Sequence, residues 1–225
     1  MKIGVFGDSF ADKNATRSWW NFLSDYGHQV RSFGECGSSL SFSAGLLWTH
    51  ANEFDFVIWC VTSVNRVSYY HHNQSYHVTN AFDDRLDNKE QQRLQNIARS
   101  YLSEVFDFHG QEVLANLAIT GVLTKLDRIL IVPCFATPFY FMQSPGFNLF
   151  QLSTREAKFY FPNQELVSIF ERYQDRRQCH LTEESNLLLA DKISRCIDHR
   201  KKVLDAEYDD FPVPHTPLEH SFILK

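Results

Sequence analysis

Short, continuously apolar runs alternate along this chain with longer stretches in which apolar residues recur every three or four positions. Lys2 to Phe6 is the first such run, and its end at Gly7 predicts a strand. Thr16 to Tyr26 has helical spacing, with Trp19, Trp20, Phe22 and Leu23 as its buried side. A second strand is expected over His28 to Phe33, then a turn at Gly34 to Ser39 and a second helix over Leu40 to His50. Phe54 to Thr62 (FDFVIWCVT) is almost uniformly apolar and rich in β-branched residues, the composition of a central parallel strand covered on both faces.

Beyond that strand the pattern loosens. Ser63 to Asn88 reads as a polar connection rich in His and Tyr, and Lys89 to Leu126 predicts two helices that meet around Phe108 to Gly110. Arg128 to Phe135 (RILIVPCF) predicts a fourth strand, followed by a Phe-rich insertion over about 135–163. Helices are expected at Gln164 to Tyr173 and from Thr182 to about Lys202. Residues 205–225, with three prolines, predict an extended tail. Strands alternating with helices define one domain over residues 1–204, an α/β protein built as a three-layer α/β/α sandwich on a doubly wound, mostly parallel sheet. In such sheets ligands bind beyond the carboxyl ends of the strands, so the loops after the first three strands carry the candidate chemistry.

Composition narrows the partners. A chain of 225 residues that is 44% hydrophobic and 22% charged can bury one ordinary core. Its formal charge of -5 and lack of a Lys/Arg stripe give no reason to expect nucleic acid or an anionic membrane; small molecules or neutral polymers fit better, and self-association is left open. No segment approaches the ~20 apolar residues that span a bilayer, and the start MKIGVFGDSF lacks an export signal, so a cytoplasmic location is expected. A phage- or virus-encoded protein released by lysis would read the same way. Five scattered cysteines without a C-x-x-C pair predict free thiols. The spacing of His71, His72 and His77 matches no usual metal-ligand pattern, and both G-x-G-x-x-G and G-x-x-x-x-G-K-[ST] are missing, so no cofactor is expected.

Four places stand out chemically. Gly7-Asp8-Ser9-Phe10 puts a serine between a strand end and a helix, where its hydroxyl would be exposed beside free backbone N–H groups. The second loop offers Gly37, whose missing Cβ lets the backbone approach a reacting carbonyl, and the third offers Asn65, a side-chain NH₂ donor. Near the other end His180 sits two residues before Thr182, a good helix N-cap, with Glu184 and an apolar run behind it.

These motifs, in this order, resemble the SGNH/GDSL hydrolase family, with its serine in an early G-D-S motif and its histidine near the C-terminus. The resemblance spans most of the chain and implies a flavodoxin-like sandwich with esterase or acylhydrolase activity. By position it implies Ser9 as nucleophile and His180 as general base. The oxyanion donors would be the Ser9 and Gly37 N–H groups and the Asn65 side chain. Asp8, Phe10, Tyr69 and Arg177 are candidate substrate-pocket residues. The expected substrate is a small-molecule or carbohydrate acyl ester.

Two departures matter. The family's G-x-N-D block is Ser63-Val64-Asn65-Arg66 here, and its aspartate three residues before the histidine is Arg177. Asp175, five residues before His180, is the candidate orienting acid in its place. The competing reading is a catalytically degenerate SGNH-like binding or assembly module, kept alive by Arg66 and Arg177.

Overall fold

The computed structural model describes residues 1–64, 66–71, 74–78, 107–135, 147–153 and 181–211, plus eight residues between 92 and 105; for 67, 69–71, 74–78 and 108 the backbone alone is described. Four strands, β1 (Lys2–Phe6), β2 (Gln29–Ser32), β3 (Phe56–Val61) and β6 (Ile129–Pro133), form one sheet in the order β2-β1-β3-β6. Every pairing is parallel, with Ile3 opposite Val30, Val5 opposite Ile58 and Trp59 opposite Ile131. This is the flavodoxin-like strand order, and its switch point lies between β1 and β3.

Alternation along the strands divides the interior in two. Ile3, Val5, Ile58, Cys60, Leu130 and Val132 face one cluster, which Trp19, Leu23, Leu189 and Ile193 complete. Phe6, Val57, Trp59, Val61, Ile129 and Ile131 face the other, completed by Leu40, Leu47, Ala115 and Ile119. The first layer is supplied by α1 (Trp19–Phe22) and α4 (Glu183–Asp198), the second by α2 (Leu40–His50) and α3 (Phe108–Lys125). Every residue of β3 is buried, and side chains of this size each stabilise by ~1.5–3 kcal/mol on leaving water.

Helix boundaries follow local capping. Ser39 accepts the Phe42 N–H at 3.2 Å and opens α2 where the periodicity placed it. Phe108 to Gly110, expected as an interruption between helices, is instead the first turn of α3, because Asp107 caps it by accepting the Gly110 N–H at 3.0 Å. The helix expected over Thr16 to Tyr26 starts only at Trp19, after the Ser18 cap; it tightens to a 3-10 turn at Leu23–Tyr26 and stops at Gly27, whose φ of 78° is left-handed. At α4, Thr182 accepts the Ser185 N–H, and Glu183 and Glu184 favour the positive end of the helix dipole. That helix ends at Asp198, short of Lys202.

Two further expectations are corrected. The polar connection after β3 holds an antiparallel hairpin, β4 (Val67–His71) with β5 (Gln74–Val78), tied to the start of α2 by the Ser39 N–H donating to Ser68 Oγ at 2.8 Å. Residues 205–211 do not trail as an extended tail: Tyr208–Asp210 form a 3-10 turn, and Ala206 and Phe211 are buried in the first core cluster. Phe211 stacks on Phe147 at 5.6 Å between centroids. The Gln164 to Tyr173 helix and most of the Phe-rich insertion lie outside the described residues. Among the described residues Cys36, Cys60, Cys134 and Cys196 are free thiols, and no helix is long and apolar enough to cross a membrane.

His28, just before β2, supplies a test of this packing. Both ring nitrogens are buried and have no hydrogen-bond partner among the described residues. Burial and then the positive N-terminus lower its pKa from 6.5, against the opposing pull of Asp198. The unfolded chain therefore takes up this proton first as pH falls through about 6.5, so the folded state loses stability on acidification from there towards the lower folded pKa. Urea midpoints at pH 7.5 and 5.5 should show His28→Leu gaining on the wild type as pH falls; a gap that narrows or reverses would contradict the burial.

Candidate active site

The loops after β1 and β2 are fastened together at the carboxyl edge of the sheet. Gly34 bridges Asp12, its carbonyl accepts the Lys13 N–H at 2.9 Å, and its N–H donates to Ser32 Oγ at 3.1 Å. Ser38 Oγ donates to the Gly7 carbonyl at 3.0 Å, and the Glu35 N–H reaches the same oxygen at 3.3 Å. Gly37 is buried with a left-handed φ of 83°, a conformation glycine adopts without penalty. The two loops that carry Ser9 and Gly37 thus form one rigid lip at the switch point.

Ser9 opens a 3-10 turn, Ser9–Ala11, immediately after Gly7 and Asp8. It is 2% exposed, so its position is buried rather than open as its sequence setting suggested. Asp8 is fully buried and caps that turn. Its Oδ1 accepts the Phe10 N–H at 3.1 Å, while Oδ2 accepts from Thr62 Oγ1 at 2.8 Å and from Arg66 Nη1 at 2.7 Å. The Arg66 side chain is 11% exposed, which makes this a largely desolvated ion pair. Its guanidinium lies 4.4 Å over the Phe135 ring, and Phe135 meets Phe10 edge-on at 5.9 Å and stacks on Phe150 at 5.1 Å.

Asp8 and Phe10, expected to line a substrate pocket, are therefore engaged in the fold: the Asp8 carboxylate is spent on a cap, a hydroxyl and a guanidinium, and Phe10 is 4% exposed in the first core cluster. Tyr69 belongs to β4, described in its backbone only. Asn65, Asp175, Arg177 and His180 lie outside the described residues. Leu181, the next described residue, is buried, and Asn186 Nδ2 donates to the Leu181 and Thr182 carbonyls, both at 3.0 Å. Asn186 Oδ1 accepts the Trp19 N–H at 2.9 Å, and Trp19 Nε1 donates to the Phe10 carbonyl at 2.8 Å. A hydrogen-bonded line therefore runs from the start of α4 to the residue after Ser9.

Sequence reasoning missed Thr62, Asn186 and the pairing of Arg66 with Asp8. A buried asparagine on the apolar side of a helix was the available hint for Asn186. For Arg66 the hint was a basic residue where a motif otherwise has an acid.

Sheet, layers and loop placement define a doubly wound α/β protein with a candidate site at its switch point. No family model matches the chain, and no curated protein matches it. Among solved structures, a catalytic mutant of an acetylxylan esterase from Geobacillus stearothermophilus aligns at 14% identity and a TM-score of 0.35. The alignment covers 60% of this chain and 60% of that one, so the chain spans about three-fifths of the esterase's length.

Proposed function

We propose that this chain is a serine hydrolase of the SGNH type that removes acyl groups from small-molecule or carbohydrate esters, O-acetyl esters included. Ser9 attacks the acyl carbon, His180 takes its proton and returns it to the leaving alcohol, and Asp175 orients the imidazole. The Ser9 and Gly37 N–H groups and the Asn65 amide receive the oxyanion. The observation that carries this reading is the placement of Ser9 at the head of a capped turn, at the carboxyl end of β1 and at the switch point, on a lip shared with Gly37.

The burial of Ser9 favours a second reading, a degenerate binding or assembly module in which the turn is kept for its structure. Fluorophosphonate labelling beside p-nitrophenyl acetate hydrolysis separates the two, since the probe reacts with an activated serine and ignores a structural one. Under the hydrolase reading the wild type labels and turns over, Ser9→Ala and His180→Ala do neither, and Asp175→Asn is slowed by up to about 10⁴-fold. A wild type that neither labels nor turns over refutes that reading in favour of the module.

A further inference from the structure

The contacts around Ser9 close into a circuit. Asp8 precedes the serine and Phe10 follows it; Asp8 binds the Phe10 N–H and the Arg66 guanidinium, Arg66 lies over Phe135, and Phe135 returns edge-on to Phe10. Both neighbours of Ser9 are therefore held through one side chain, from a loop 58 positions away. A carboxylate bound only by a hydroxyl and one backbone N–H can rock about its terminal torsion, and the turn it caps rocks with it. A charge-assisted bond of 2.7 Å from a planar group, itself fixed against an aromatic face, removes that freedom.

We infer that Arg66 is a positioning residue for the Ser9 turn, aligning the serine hydroxyl and its backbone N–H through Asp8. The inference rests on the serine-hydrolase reading and assigns a role to the arginine that stands where the resembling family has its block-three aspartate. Small displacements of a reacting group are costly: a misplacement of about 1 Å can lower rates by ~10²-fold. Because Arg66 acts on the turn and leaves bulk substrate binding alone, its loss lowers kcat while KM stays put.

The test is the second-order rate of fluorophosphonate labelling, with kcat and KM for p-nitrophenyl acetate, in the wild type, Arg66→Met, Arg66→Lys and Phe135→Leu, each checked for native circular dichroism. Arg66→Met should label about 10–100-fold more slowly with KM unchanged. Arg66→Lys, which keeps the charge but loses the plane, should recover part of the rate, and Phe135→Leu should show a smaller loss of the same kind. If Arg66→Met does not fold, the other two carry the comparison. A wild type that labels while all folded variants label equally fast, or variants that raise KM and spare kcat, overturn the positioning role and leave the hydrolase reading intact. If the wild type does not label, both fall.

Discussion

Gly34→Ala is expected to cost more than about 3 kcal/mol of folding stability and, under the proposed serine-hydrolase function, to abolish labelling of Ser9. A Cβ at this position would lie 2.0 Å from the Ala11 carbonyl oxygen, 2.3 Å from its carbon and 2.7 Å from the Ala11 Cβ. The obstacle is backbone in the turn that begins with Ser9, so no rotamer change can relieve it. Either the sheet edge opens or the turn shifts, and both separate the loops that present Ser9 and Gly37. With total stabilities of ~5–15 kcal/mol, a loss of this size is readable as a lower urea midpoint. A variant as stable as the wild type would show that the loops do not approach so closely.

Asp8→Ala should be nearly as damaging, by ~3–5 kcal/mol, because removing one partner of a desolvated ion pair strands the other. The Arg66 guanidinium, its side chain 11% exposed, would lose the carboxylate that accepts from it at 2.7 Å. Thr62 would lose the acceptor of its hydroxyl, and the Ser9–Ala11 turn its cap. The double variant Asp8→Ala/Arg66→Met should recover much of the loss, since the stranded charge leaves with its partner. Urea, being uncharged, is the denaturant to use. A single Asp8→Ala variant within about 1 kcal/mol of the wild type would mean the pair is solvated after all.

Much of the architecture was legible in the sequence because its signals are local. The continuous apolar runs of β3 and β6 need cover on both faces, and the alternation of strands and helices then allows few arrangements. Ser39 and Thr182 announce the helices they cap. The hairpin was hidden because its Tyr- and His-rich strands lack the apolar run that marks a buried strand, and among the described residues their sheet has two members. At the site, the placement of Ser9 after β1 and of Gly37 in the facing loop could be read from glycines and strand ends. The employment of Asp8 could not, since its partners Thr62 and Arg66 lie more than fifty residues away and only the folded sheet brings them together.

The central strand also sets a rule for how this chain can vary. In a strand with one solvated face, a lost or gained residue shifts the phase against only one packed layer. In β3 no such face exists: Phe56, Ile58 and Cys60 serve one helical layer, and Val57, Trp59 and Val61 serve the other. Deleting one residue from its middle would send Trp59, or its neighbours, into a layer shaped for something else, and both layers would fail together. Changes in chain length are therefore kept out of β3, and the count of residues from 56 to 61 is as fixed a property of this protein as their apolar character.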